Sequence, residues 1–245
     1  MTDRLGIQFL AEAAPSVADP RERSFAILAR VASSRETMYR WLALGFYAPD
    51  GQFVEALASQ QLIYGVVAAL EWLGKDQQLF DEGLQRLQRC RAVTRVELTT
   101  EYQRLFDKGL DRVSPHEAAY RWRDASDLLN NGAAITRLLR RQYQQFNLAP
   151  LVEREDHVAV ELEFLSFLCG REAESWSNGL PDMARQLRRQ QKSFLDDHLG
   201  RWLAEFCQRV QTRTQSNAYQ GLALLADAWL KLEHGPGYLP PVTKS

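Results

Sequence analysis

Apolar side chains recur at helical spacing along almost the whole chain. Met38, Leu42 and Phe46 repeat at i, i+4, i+8, and Leu98, Tyr102 and Leu105 at i, i+4, i+7. Ile135, Leu139, Tyr143 and Phe146 continue the pattern over three turns, as do Val158, Leu162, Leu165 and Cys169. Leu195, Leu199, Trp202, Phe206 and Val210 form the longest stripe, and Tyr219, Ala223, Ala226 and Leu230 close the series. A period near 3.6 puts each set on one face of a helix. No alternating segment has a hairpin partner. Leu62 to Val67 is strand-like by composition only.

Start and stop signals punctuate the stripes. Asp19-Pro20-Arg21-Glu22 supplies an N-cap, a first-turn proline and an acidic third position. Thr94 to Glu97 reads as a capping box, and Ser114-Pro115-His116-Glu117 as another with proline at the first helical position. Stops fall at Gly74, Gly109, Asn147 to Pro150, Asn178-Gly179 and Gly235 to Gly237. The expectation is an all-α protein, a single-domain bundle of about nine to ten helices over residues 19–234. Residues 1–18 and the Pro/Gly-rich 235–245 are expected to be flexible.

Bulk composition narrows the function classes. The chain has 245 residues, enough for a substantial core, with 30 basic and 31 acidic side chains and a net charge of −1. That balance gives no global field for nucleic acid, so electrostatic recognition has to be local. The three cysteines, Cys90, Cys169 and Cys207, form no CxxC and sit among apolar neighbours. They read as core residues of a protein from a reducing compartment. The stretch from Met1 to Asp19 lacks a secretory layout, and the uncharged run from Ser59 to Leu70 is short of the roughly 20 apolar residues a membrane span needs. The expected location is the cytoplasm.

One segment departs from ordinary helix design. Residues 153–165 crowd Glu153, Glu155, Asp156, Glu161 and Glu163 around His157 at the start of an otherwise apolar helix. Carboxylates near a helix N-terminus are favoured by its dipole, by about 0.3–1 kcal/mol each. That accounts for the first of them but not for Glu161 and Glu163, and like charges at such spacing repel. His157 and Glu161 stand at i, i+4, where a side-chain hydrogen bond can form, and Asp156 can orient or charge the histidine.

Two further stretches accompany it. In Glu101 to Phe106, Tyr102, Leu105 and Phe106 share one helix face, which reads either as core or as the rim of a groove. Ser114 to Tyr120 follows after a short loop. A groove between these segments suits an apolar peptide helix. A metal-binding helical-bundle enzyme using Glu153, His157, Glu161 and His198 is an alternative, weakened because no Glu-x-x-His motif is present. No serine or cysteine lies in a nucleophile context.

Together these stretches carry a resemblance. Glu101-Tyr102-x-x-Leu105-Phe106, Pro115-x-Glu117-x-x-Tyr120 and Glu153-x-Glu155-Asp156-His157 followed by Glu161-Leu162-x-Phe164 resemble the TorD/DmsD/NarJ family of molybdoenzyme maturation chaperones. Phe194-x-x-x-His198-Leu199-x-x-Trp202 and Gly45 to Pro49 add to the likeness, which spans roughly residues 33–233. It implies an all-helical non-enzyme without a cofactor of its own. Such a protein binds the twin-arginine signal peptide or N-terminal region of an apo molybdopterin-dependent catalytic subunit, delays its export and assists cofactor insertion. It implies peptide-binding roles for Tyr102, Leu105, Phe106, Pro115, Tyr120, Glu153, Asp156 and His157. His116, Glu117, Glu155 and Glu161 in the same motifs join them as candidates. Implied partners are that catalytic subunit and cofactor-biosynthesis proteins, with no nucleic acid, no membrane insertion, and a monomeric or homodimeric state. A NarJ-type chaperone for a membrane-bound nitrate reductase-like subunit is the neighbouring alternative. Glu155 stands where the family usually has proline, and His116 where some members have an aromatic residue.

Overall fold

The computed structural model describes residues 19–108, 111–121 and 125–234. The predicted stops at Gly109 and at Gly235 to Gly237, and the expected flexibility of 1–18 and 235–245, lie outside them. Eleven α-helices form among the described residues: α1 Pro20–Phe46, α2 Gly51–Ala58, α3 Gln61–Trp72, α4 Asp81–Gln88, α5 Arg95–Tyr102, α6 Ala118–Arg121, α7 Ala125–Gln144, α8 Val158–Ser177, α9 Pro181–Asp197, α10 Leu203–Arg213 and α11 Asn217–His234. Short helices, of four residues in α6 and eight in α2 and α4, carry the count above the expected nine or ten.

The bundle is built around α8, which packs along α1 on one side and α9 on the other. Val158, Ala159, Leu162, Leu165, Leu168 and Cys169 are fully buried there. A second layer sets α11 against α4 and α10. Gly83 and Gly221 make that α4–α11 crossing possible: a Cβ on either would sit about 3 Å from the other's backbone carbonyl. All three cysteines are free and buried. Midway along α1, buried Arg35 bonds Glu233, Glu172 and Gln191, tying α1, α8, α9 and α11 by charge-assisted contacts.

Most signals act as read. Asp19 caps α1 by accepting from Arg21 N–H, and Thr94 and Glu97 form a reciprocal capping box. Gly74 and Gly179 take the left-handed conformation that ends α3 and α8. Leu62 to Val67 lies inside α3. Two readings are corrected. The 195–210 stripe is not one helix: the chain breaks at His198, makes a 3₁₀ turn over Leu199–Arg201 and restarts as α10. Ser114 to Glu117 is not a capping box but runs extended, for reasons given below.

Among the described residues no single helix is long and apolar enough to cross a membrane. The bent pair α2 and α3 meets that test only jointly, and its Phe53, Leu57, Leu62, Ile63 and Val66 are buried in the bundle core.

Candidate functional site

The end of α7 creates the segment that carries the site. Asn147 adopts φ +57°, and its N–H and that of Leu148 return to the carbonyls of Gln144 and Tyr143. This is an αL helix stop followed by Pro150, which cannot continue a helix. Residues 148–157 then cross the bundle to α8. The Tyr143 hydroxyl donates to the Glu155 carbonyl at 2.8 Å and fixes the crossing from below.

Segment 113–117 is pinned to the end of this crossing. His116 and His157 form an isolated antiparallel bridge. Val158 N–H donates to the Pro115 carbonyl and Glu117 N–H to the Asp156 carbonyl, each at 2.8 Å. These bonds keep Ser114 to Glu117 extended. The Glu117 side chain, which a capping box would turn back on the chain, faces inward, so α6 begins only at Ala118.

Asp156 is fully buried between the His116 ring and the Arg154 guanidinium. Its carboxylate takes the His116 ring at 3.2 Å and the Arg154 guanidinium at 3.1 Å, and accepts a weak bond from Ala118 N–H at 3.4 Å. Burial works to raise this carboxyl, but the His116 bond and charge, Arg154 and the amide outweigh it and hold it below the usual range. His157 was expected to take Asp156 or Glu161 as partner. It instead caps α8, its Nδ1 accepting from Ala159 N–H at 3.2 Å. Burial and the neighbouring His116 push its pKa down to about 3 against the pull of Asp156, so it is neutral.

Beneath lies a second buried cluster. Glu117 binds Arg121 at 2.6 Å and His198 Nδ1 at 3.0 Å, and the far nitrogen of His198 meets Gln142 at 3.1 Å. Glu161 accepts from Trp202 Nε1 at 3.3 Å. Burial and the Glu117 carboxylate beside it raise the Glu161 carboxyl well above its ordinary value, so it keeps its proton. The break at His198 is what lets that ring reach Glu117.

Tyr102, Leu105 and Phe106 are buried. Leu105 and Phe106 lie on a π-turn, Gln103–Asp107, after α5. Phe106 stacks on Phe206 and meets Tyr219 edge-on. Tyr120 is half-buried over Trp202, its hydroxyl donating to the Ser114 carbonyl at 2.7 Å. In this conformation these residues form the wall behind the site and offer little surface. Glu155 is drawn to Arg140 at 2.6 Å, whose hydrogen bond lowers its carboxyl despite burial acting the other way.

The open concavity lies on the other side of the crossing. A cleft of about 490 Å³ separates the end of α1 from the 148–153 segment and the first turns of α8. Leu44, Tyr143, Val160, Phe164 and Phe167 form its apolar floor; Tyr47, Asp50, Leu151, Val152, Glu153 and Glu163 stand around it. Leu151 and Val152 are 98% and 82% exposed. Of the residues expected to bind peptide, Glu153 alone lines the cleft. Tyr47 had appeared only as part of a family-like stretch, and Glu163 only as one charge of the acidic run. The adjacent apolar pair Leu151-Val152 followed directly by Glu153 was the available signal for the rim. Among the described residues no group of three or more His, Cys, Asp or Glu side chains is arranged to hold a metal, and none brings Glu153, His157, Glu161 and His198 together as ligands.

This fold and its sequence have relatives. The family model of the nitrate reductase delta subunit matches residues 72–208, more than half of the chain. The chain belongs to this family, the molybdoenzyme maturation chaperones of the NarJ/TorD type. It is similar to the selenate reductase assembly chaperone protein of Thauera selenatis, with 33% identity over 174 residues, 69% of this chain and 84% of the relative. The family-model match, residues 72–208, contains the 113–117 and 148–157 segments and α8, but not Tyr47.

Proposed function

We propose that this chain is a cytoplasmic assembly chaperone, without turnover of its own, for an apo molybdoenzyme catalytic subunit. It binds the twin-arginine signal peptide or N-terminal region of that subunit, delays export and keeps the subunit competent for molybdopterin cofactor insertion. An oxyanion reductase is the favoured client, since the relative serves a selenate reductase by name and the family is named for a nitrate reductase.

The observation that carries the reading is an apolar cleft whose charged edge, among the described residues, is acidic, next to the family-like segments 113–120 and 153–161. A twin-arginine signal presents guanidinium groups beside an apolar stretch, and the cleft is its chemical complement. Tyr102, Leu105, Phe106, Pro115, His116, Glu117, Tyr120, Asp156, His157 and Glu161 hold the two segments in place; Glu153 and Glu155 bring carboxylates near the surface. Exposed ion pairs contribute only about 0–1 kcal/mol each. Apolar contact therefore supplies most of the affinity, and the charges set register and on-rate.

The test is maturation in cells. Without this chaperone the client should accumulate with little molybdenum and low activity, and restoring the chain should restore both. A client equally loaded in its absence contradicts the reading.

A further inference from the structure

The acidic residues of 153–163 are not equally available. Asp156 is buried and already holds Arg154 and His116, and Glu155 holds Arg140. Glu161 is buried beside Glu117, which is itself occupied by Arg121 and His198. Glu153 and Glu163 have no ion-pair partner among the described residues, and both line the cleft. Glu163 is already oriented: its Oε2 accepts the Tyr47 hydroxyl at 2.5 Å, leaving Oε1 open. Asp50, the third acid there, caps α2 through Phe53 N–H at 3.0 Å. No Lys or Arg is among the described residues that line the cleft, so a cation entering it meets no competitor from them.

Resting on the proposed function, and narrowing it, we propose that this cleft is the docking site for a client segment in which arginine adjoins an apolar stretch, with the arginine held between Glu153 and Glu163 and the apolar side chains between Leu151–Val152 and Phe164. Asp156 then belongs to the scaffold that shapes the crossing. Two carboxylates without cations suit the planar, multi-donor guanidinium, which is more weakly hydrated than an ammonium. Adjacent exposed Leu151 and Val152 at the mouth of a buried apolar floor form the kind of rimmed apolar surface that marks binding. The volume falls within the roughly 300–1,000 Å³ of ligand pockets and admits a few side chains, not a whole helix.

The experiment is fluorescence anisotropy of the full chain with two labelled peptides. One carries Arg-Arg before a leucine- and alanine-rich stretch; in the other Gln-Gln replaces the arginines. Glu153→Gln and Glu163→Gln should each weaken the Arg-Arg peptide by about two- to fivefold and leave the Gln-Gln peptide unchanged. Leu151→Ser with Val152→Ser should weaken both peptides. All these positions lie at the surface of the cleft, and unchanged urea midpoints verify folding. Wild-type binding of the Arg-Arg peptide by the Gln variants, or equal loss of both peptides, overturns the assignment. If the wild-type chain binds neither peptide, the proposed function falls with it. If it binds and only Asp156→Asn abolishes binding, the function stands and the cleft assignment falls.

Discussion

The Tyr47 hydroxyl donates to Glu163 at 2.5 Å, across the cleft between the end of α1 and the second turn of α8. Tyr47 also lies parallel to the His157 ring, 6.2 Å centre to centre. Burial first, and then the Glu163 bond, push the Tyr47 hydroxyl well above its ordinary pKa, so it stays a donor at any physiological pH. One side chain thus connects the open cleft to the clasp between segments 113–117 and 156–158.

His157 gives a pH test of that clasp. Its pKa is pushed down to about 3 in the fold, against about 6.5 in the unfolded chain. Between these values the unfolded chain binds the proton and the fold does not, so stability falls as pH drops below 6.5. From pH 7 to pH 5 the loss from this group is roughly 2 kcal/mol. Asparagine retains a capping acceptor for α8. His157→Asn should therefore remove most of that pH dependence, read from urea midpoints at the two pH values. An unchanged slope contradicts a neutral buried His157.

Glu161 has the opposite sign. Its carboxyl is raised in the fold, so the folded chain holds a proton that the unfolded chain releases above about pH 4.3, and stability declines as pH rises from there. Glu161→Gln supplies a permanent neutral group and should be neutral to stabilising at pH 8. Glu161→Ala leaves Trp202 Nε1 without its acceptor and opens a cavity, and should cost about 2–4 kcal/mol. Denaturation curves of the pair at pH 8 check the contrast.

The α4–α11 crossing provides a packing test. Gly221→Ala places a methyl 2.8 Å from the Leu87 side chain and 2.9 Å from the Gly83 carbonyl, where backbone cannot yield. A loss of about 1–3 kcal/mol is expected, with peptide binding preserved because the cleft is formed by other elements. A thermally neutral variant would show that the two helices separate easily.

The apolar stripes and caps made the helices legible, because helix period and termini are local properties. The pairing of His116 with His157, 41 positions apart, was not: Ser-Pro-x-Glu is a good local capping box, and only the backbone partners supplied by 156–158 override it. The acidic run could be seen in the sequence, but its sorting could not. Arg140, brought in from α7, neutralises Glu155, and Arg154 turns back on Asp156 two positions along, so the residues that looked most available are the ones already occupied. The cleft draws on three separated segments, and its mouth at Leu151 and Val152 reads locally as an ordinary loop. The stripe over 195–210 keeps its helical phase through the break at His198, which hides the break from any reading of periodicity.

The most direct test is purification of this chain with an apo oxyanion reductase catalytic subunit carrying its N-terminal twin-arginine segment, alongside the same subunit with that segment removed. The expected result is a stable complex with the full precursor that is lost with the segment. A complex that persists unchanged without the segment, or none with either form, would contradict it.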